Sequence, residues 1–314
     1  MTTSDPSQWR VKSLRLQRPE HIYFGGKVRP WNEAMLHVAT ESVVRGINVF
    51  EGMKGYWHPD GQFRLRALRQ HHDRLQRSAR LLHIPVEFSY QDFERACFEM
   101  AKAELRPDKD LYIRATLFIV EGHYHEGNVS DLNLTAYQQS QELSPPIDIG
   151  ISTWRRSPDV SMPARIKSSA NYQISRLARI EGKSRGYEEM ILLNQSGRVA
   201  EGIGACVLLV RDGVVSSPPA SEGALESITL AIVEDLAESM GIPFERRPID
   251  RTELYLATEL GLTGTLTDVS LIRSIDDMDL PQHMPLLTAL RDRYVAAVRG
   301  TDPHPRVEFS VVPR

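Results

Sequence analysis

Apolar and polar positions alternate along the chain in short stretches broken by turn signals, and only a few segments carry a helical period. HIYFGGKVRPW holds two short apolar runs about Gly25-Gly26, and GYWHPDGQFRL holds two more about Asp60-Gly61. Paired glycines and Asp-Gly accept the positive φ of a tight turn, so both segments predict hairpins. From Arg66 to Leu82, the residues Leu68, Leu75, Ala79 and Leu82 recur at spacings that share one helical face. A second helix is expected over 92–105 and strands over 111–120 and 132–137, so this half is α+β. QSQELSPPI is polar and then carries two prolines, which cannot continue a helix. The boundary is placed there, giving a small N-terminal α/β domain over 1–143 and a larger C-terminal domain over 144–314. In the second half, strands are expected at 147–153, 189–193, 205–210 and 271–275, and helices at 172–186 and 227–241. The last places Ile228, Ala231, Ile232 and Leu236 on one face, and Gly241 and Pro243 stop it.

Composition narrows the function classes. The 314 residues suggest about two domains, and 41% hydrophobic with 25% charged residues exclude a disordered, collagen-like or membrane-spanning chain. Lys+Arg (38) and Asp+Glu (41) leave a formal charge of −3, which gives no electrostatic reason for nucleic-acid or anionic-membrane binding. No apolar run reaches signal-peptide or membrane-span length, and two cysteines make neither a disulfide framework nor a zinc site. A cytoplasmic setting is expected. Only seven of the 38 basic residues are lysines.

Several segments could carry chemistry, and each has a plainer explanation. Lys167 in ARIKSSANYQ is flanked by small residues that leave room for a bulky group on its nitrogen, and a desolvated amine is nucleophilic. It could equally be a surface lysine at a helix start. Glu201 in GRVAEGIGAC sits where backbone could approach closely, or simply ends a hairpin. LESIT (225–229) opens a helix whose free amides could bind phosphate, and TGT (263–265) ends a strand. Ordinary capping and an ordinary turn explain both. Arg74 is surrounded by Arg69, Arg77 and Arg80, as on a solvated helix face. Arg114 in LYIRATLF is a lone charge in an apolar strand, so it needs a partner, either an internal acid or a substrate carboxylate. His123 and His125 have an H-x-H spacing with no third ligand fixed, so no metal is expected. Gly202-x-Gly204 lacks the third glycine and following helix of a dinucleotide fingerprint.

Taken in order, NVFEGMKGY (48–56), FRLRALRQHHDRL (63–75), LYIR (111–114), KSSANY (167–172), GRVAEG (197–202), LESIT and TGT resemble the branched-chain amino acid aminotransferase family, the fold-type IV pyridoxal phosphate enzymes. The resemblance implies an α/β, two-domain enzyme whose larger domain is built on a mixed β-sheet or barrel. It implies that Lys167 carries pyridoxal 5'-phosphate as a Schiff base, that Glu201 faces the pyridine nitrogen, and that Tyr172 lies beside the phenolic oxygen. It further implies that Arg74, Ile228, Thr229 and Thr265 hold the phosphate, and that Phe50, Tyr112, Arg114, Arg45 and Gly264 lie near the substrate. The implied reaction moves an amino group between an amino acid and a 2-keto acid, in a homodimer. Lyases of the aminodeoxychorismate type and transaminases of D-amino acids or amines share the fold and stay open. Three positions depart from the family pattern: Arg45 replaces a wall tyrosine, Cys206 an asparagine and Leu230 an arginine. Arg45 could meet a second carboxylate or polar substrate, or fold onto a local acid.

Overall fold

Both glycine-marked turns close hairpins. β1 (His21–Phe24) and β2 (Lys27–Pro30) pair about Gly25 and Gly26, whose φ values are +58° and +75°. β3 (Asn48–Trp57) and β4 (Phe63–Arg66) pair about the turn at Gly61, with α1 (Glu41–Val44) preceding β3. The computed structural model describes residues 18–124 and 126–313. The chain divides into two units, one running up to Glu142 and regaining the segment from Phe309, the other spanning Leu143–Glu308.

In the first unit, α2 (Leu68–Leu81) starts only after Ala67, which adopts φ +55°. α3 (Tyr90–Glu104) begins earlier than expected because Ser89 and Asp92 form a reciprocal capping box. β5 (Asp110–His123) and β6 (Glu126–Gln139) run beyond their apolar cores. Their polar ends keep the ladder through register shifts near Glu121, which apolar patterning does not reveal.

The second unit contains β7 (Ile147–Arg155), α4 (Tyr172–Arg185), β8 (Glu189–Leu193), β9 (Val199–Gly202), β10 (Cys206–Arg211) and β11 (Val214–Ser217). α5 (Ile228–Ser239), β12 (Phe244–Arg246), β13 (Glu259–Gly264), β14 (Asp268–Ile275), β15 (Met278–Asp279) and α6 (Pro285–Arg299) follow. The sheet order is β12-β11-β10-β13-β14-β7-β8-β9, with β15 on β14. β7 and β8 are parallel across α4, and β11 and β12 are parallel across α5. β9, β11, β12 and β13 are short or glycine-bearing and lie outside the expected elements. So does α6, although Leu287, Leu290, Tyr294 and Ala297 are buried at helical spacing. β16 (Phe309–Val311), at the far end of the chain, pairs with β4 of the first sheet, ordered β16-β4-β3-β5-β6-β1-β2. Among the described residues, no helix is long and apolar enough to cross a membrane.

β3 is buried on both faces, and its pleat separates two sets of side chains. Phe50, Gly52 and Lys54 lie opposite Thr116, Arg114 and Tyr112 of β5. On the other face Glu51 meets α2: its carboxylate takes Arg74 Nε at 2.7 Å, Arg74 Nη2 at 2.8 Å and His71 Nδ1 at 2.7 Å. Burial raises the Glu51 pKa, but the Arg74 charge and the hydrogen bonds outweigh it and hold it at about 2. Burial pushes His71 down to about 4, helped by Arg74 and Arg66 and opposed by Glu51. A neutral ring also suits His71 Nε2, which is buried with no hydrogen-bond partner among the described residues, since protonation would add an unmatched N–H there.

Because His71 titrates near 6.5 when unfolded and at about 4 when folded, the unfolded chain binds the extra proton first as pH falls. The associated stability is therefore complete above pH ~6.5 and is lost on acidification toward pH ~4, amounting to about 3 kcal/mol. Urea unfolding followed by circular dichroism is expected to show this loss, and His71→Asn is expected to flatten it. An equally steep acid limb in the variant would refute the assignment.

Candidate active site

The loop between β7 and α4 carries Lys167. Asn171 Nδ2 donates to the carbonyls of Pro163 (2.9 Å) and Ile166 (2.8 Å), folding the loop back on itself. Lys167 is thereby held half-buried between the buried Ile166 and Ser168, and its Nζ donates to Tyr172 Oη at 2.7 Å. Tyr172 is the first residue of α4, so the small Ser168-Ser169-Ala170 segment lets the chain turn between the amine and the phenol.

Glu201 lies on β9, paired with Leu192 of β8, and is 8% exposed. Its Oε2 accepts the Leu225 amide at 3.0 Å, and its Oε1 lies 3.1 Å from Arg156 Nε. Arg156 is 4% exposed and also bonds the carbonyls of Gly223 and Asn171, each at 3.3 Å. Arg156 thus joins the acid to the lysine loop. Sequence reasoning missed it because the adjacent Arg155 and Arg156 look identical in the sequence, although only Arg156 is buried.

At the start of α5, Ser227 caps the helix by accepting the Leu230 amide at 3.1 Å. Ile228 and Thr229 form the first turn, and Thr229 Oγ1 lies 3.5 Å from Thr265 Oγ1, just past β13. The neighbouring Gly264 packs closely on the 204–205 backbone, where a Cβ would come within 3.2 Å of the Gly204 carbonyl. Two hydroxyls beside a helix N-terminus can receive an anion. Leu230 is buried in the core, and Cys206 is buried with Sγ 4.0 Å from the Leu225 carbonyl.

The remaining candidates belong to the first unit. Arg74 is not on a solvated face: it is buried and fixed by Glu51. Phe50, Tyr112 and Arg114 share the opposite face of β3 and β5, and Lys54, which sequence reasoning passed over, shares it too. The Arg114 guanidinium lies 3.8 Å from the centroid of the Phe50 ring, and a Cβ at Gly52 would overlap Tyr112. Arg45 folds onto a local acid, Glu41. His123 lies 3.5 Å from that same carboxylate, and His125 falls outside the described residues. Among the described residues, no group of three or more His, Cys, Asp or Glu could hold a metal ion.

An amine beside a phenol, an acid with fixed partners and a hydroxyl pair at a helix start together suit a reaction on an anionic aldehyde cofactor. Comparison with known proteins agrees with that chemistry. A probable branched-chain-amino-acid aminotransferase of Aquifex aeolicus is 33% identical over 291 residues, covering 90% of this chain and 93% of that protein. The crystal structure of a branched-chain aminotransferase from Thermoproteus uzoniensis with norvaline superposes with a TM-score of 0.88 at 30% identity, covering 93% of this chain and 99% of that one. The PLP form of the branched-chain amino acid aminotransferase from Thermobaculum terrenum gives a TM-score of 0.85 at 32% identity, covering 95% of this chain and 99% of that one. The expected α/β fold, of fold-type IV, is the fold of these structures. Residues 48–275 match the family described as amino-transferase class IV, and the chain belongs to that family.

Proposed function

We propose that this chain transfers an amino group from a branched-chain-like amino acid to a 2-keto acid, using pyridoxal 5'-phosphate held at Lys167. The observation that carries this reading is the Lys167–Tyr172 hydrogen bond on a loop that Arg156 ties to Glu201. The residues fit the cofactor: the set holds an amine, a phenol, a partnered carboxylate and the Thr229–Thr265 hydroxyl pair. The hydroxyl of Ser168, buried beside Lys167 with no hydrogen-bond partner among the described residues, adds a polar group available to a bound molecule. The names of the relatives support the amino-acid class.

When bound, the cofactor supplies an aldehyde that takes up the amino group and a ring that accepts electron density. Lys167 Nζ would hold it, and its free amine would take the substrate α-proton and later return it. Tyr172 Oη orients that amine. Glu201 presents a negative charge that keeps the ring nitrogen protonated, and Arg156 and the Leu225 amide keep the carboxylate in place. The Ile228 amide, Thr229 and Thr265 would take the phosphate, and the family resemblance assigns Arg74 to it as well, although Glu51 holds its Nε and Nη2. By the family resemblance, Arg114 would receive the substrate carboxylate, and Phe50, Tyr112, Arg45 and Gly264 are the further positions assigned to the substrate.

The test is an amino-donor screen of purified protein, watching the bound cofactor pass between its aldehyde and amine absorption bands. Interconversion on adding a donor and its reversal by a 2-keto acid are expected; pyruvate release without an acceptor would favour a lyase instead. Borohydride reduction and peptide mapping are expected to label Lys167, and label elsewhere would overturn the assignment. Lys167→Ala is expected to lose turnover by roughly 10³-fold or more with the fold kept, the loss of a general acid–base group. For Glu201→Gln, a fall in kcat of about a hundredfold with cofactor retained is expected, corresponding to about 3 kcal/mol of lost charge stabilisation. Wild-type rates in that variant would assign the carboxylate another role.

A further inference from the structure

The second unit contains a cavity of about 400 Å³ walled by three segments: the loop that leaves β7, the turn between β8 and β9, and the short helical turn at 220–223. Side chains fix each wall. The buried Glu222 accepts Arg198 Nε at 2.7 Å, Arg198 Nη2 at 3.0 Å and Asn194 Nδ2 at 2.6 Å, which locks the β8–β9 turn onto the 220–223 turn. Gln195 Nε2 donates to the Arg156 carbonyl at 3.0 Å, and Arg156 Nε donates to the Gly223 carbonyl, so the loop after β7 is held to both. On that loop, Arg165 Nη1 meets Asp159 Oδ1 and Arg165 Nε meets Glu226 Oε1, each at 3.1 Å. Asp159 and Arg165 are exposed and Arg198 is half-buried. Lys167, Tyr172 and Glu201 do not line the cavity, whereas Arg156 does.

These walls present both signs of charge together. Arg198 and Arg165 each give two nitrogens to carboxylates, and a guanidinium carries five N–H donors, so each has donors left over. Asp159 supplies an acceptor, and Ser157, Ser196 and Ser221 supply hydroxyls. An anion alone would gain from the guanidinium groups and be repelled by Asp159 and Glu222, and a cation alone would meet the reverse. A guest carrying both charges satisfies both walls and adds no net charge. The volume falls within the range of small-molecule sites, and Pro158, Ala164 and Ala220 offer only short apolar contacts, which suits a small guest. Because Glu222 and Gln195 fix the walls in advance, little ordering is needed on binding. We infer that this cavity is a second ligand site, separate from the candidate active site, and that it takes a small zwitterion of the α-amino-acid class, with the carboxylate toward the guanidinium groups and the ammonium toward Asp159. Arg156, which lines the cavity and also holds Glu201, makes the two sites neighbours. The inference does not depend on the proposed transamination.

Three guests of one shape isolate the charge requirement. They are 2-aminoisobutyrate, which has no α-proton to lose, pivalate, in which a methyl replaces the ammonium, and tert-butylamine, in which a methyl replaces the carboxylate. Calorimetric titration uses the full chain after borohydride treatment, which removes any reactive aldehyde held at Lys167, so covalent capture does not contribute. The treated protein is expected to bind 2-aminoisobutyrate with a Kd of about 1 mM or tighter, and pivalate and tert-butylamine about tenfold or more weakly. Ser221→Trp, which fills the cavity from an exposed position, is expected to weaken 2-aminoisobutyrate about tenfold or more. Asp159→Asn is expected to cut its advantage over pivalate to about threefold or less. The inference is overturned by no detectable binding at about ten times that concentration, by pivalate binding equally well, by undiminished binding in a folded Ser221→Trp, or by a full advantage kept in Asp159→Asn. If Ser221→Trp does not fold, Ser196→Trp fills the same space from the β8–β9 turn and decides in its place. The titration needs no turnover, so a failed amino-donor screen would defeat the proposed function and leave this result standing.

Discussion

One buried guanidinium organises the second unit. Arg156 bonds the Glu201 carboxylate on β9, the Gly223 carbonyl ahead of α5, and the Asn171 carbonyl at the end of the lysine loop. A buried arginine is tolerated only when its donors are satisfied, so these three segments are held together by one group's need for partners. The consequence reaches the chemistry. Asn171, whose carbonyl Arg156 holds, uses its side chain to fold the loop that presents Lys167. The acid and the amine are therefore set by one connected network rather than placed independently, as a proton transfer with fixed geometry requires.

The same device recurs in the first unit. Glu51 is clamped by the forked edge of Arg74, and Glu41 is paired with Arg45. Each case combines a carboxylate shielded from water with a guanidinium that reaches it from another turn or element. The planar fork of arginine satisfies a carboxylate through two N–H groups and keeps its charge at any working pH, which a lysine does less well. This gives a physical reason for a basic composition in which only seven of 38 residues are lysines. Lys167, placed beside a phenol instead of a carboxylate, stands outside that pattern.

How much was legible in the sequence depended on whether the signal was local. The hairpins at Gly25-Gly26 and Asp60-Gly61, and the helices opening at Tyr172 and Ile228, could be read because turn chemistry, periodicity and caps lie within a few residues of each other. β9 and β13 escaped because VAEG and ELGLTG are short or glycine-bearing and show no clear alternation of their own, although β9 forms a hairpin with β8 and β13 one with β14. β16 escaped for the stronger reason that its partner is β4, far away along the chain. The candidate site divides the same way. Thr229 and Thr265 could be nominated from a helix start and a strand end, but their approach to 3.5 Å depends on β13 ending beside α5. Arg74 looked solvated because its neighbours along the chain are arginines, whereas the residue that matters to it is Glu51, on a strand. Arg156 could not be told from Arg155 at all, since burial is decided by where β7 ends and not by residue type.

The departures from the family pattern show how a site can change without losing its frame. Leu230, where the resemblance leads one to expect an arginine, packs into the buried side of α5, so an apolar side chain suits its surroundings. Arg45 is the opposite case, a charge that requires an acid within reach. α1 provides it four residues earlier, the spacing at which helical side chains meet, so Glu41 and Arg45 fall together even in a single turn. Neither change touches Arg156, Asn171 or the Lys167–Tyr172 pair. Each of these side chains is accommodated within its own element, which leaves the network that presents the amine and the acid undisturbed.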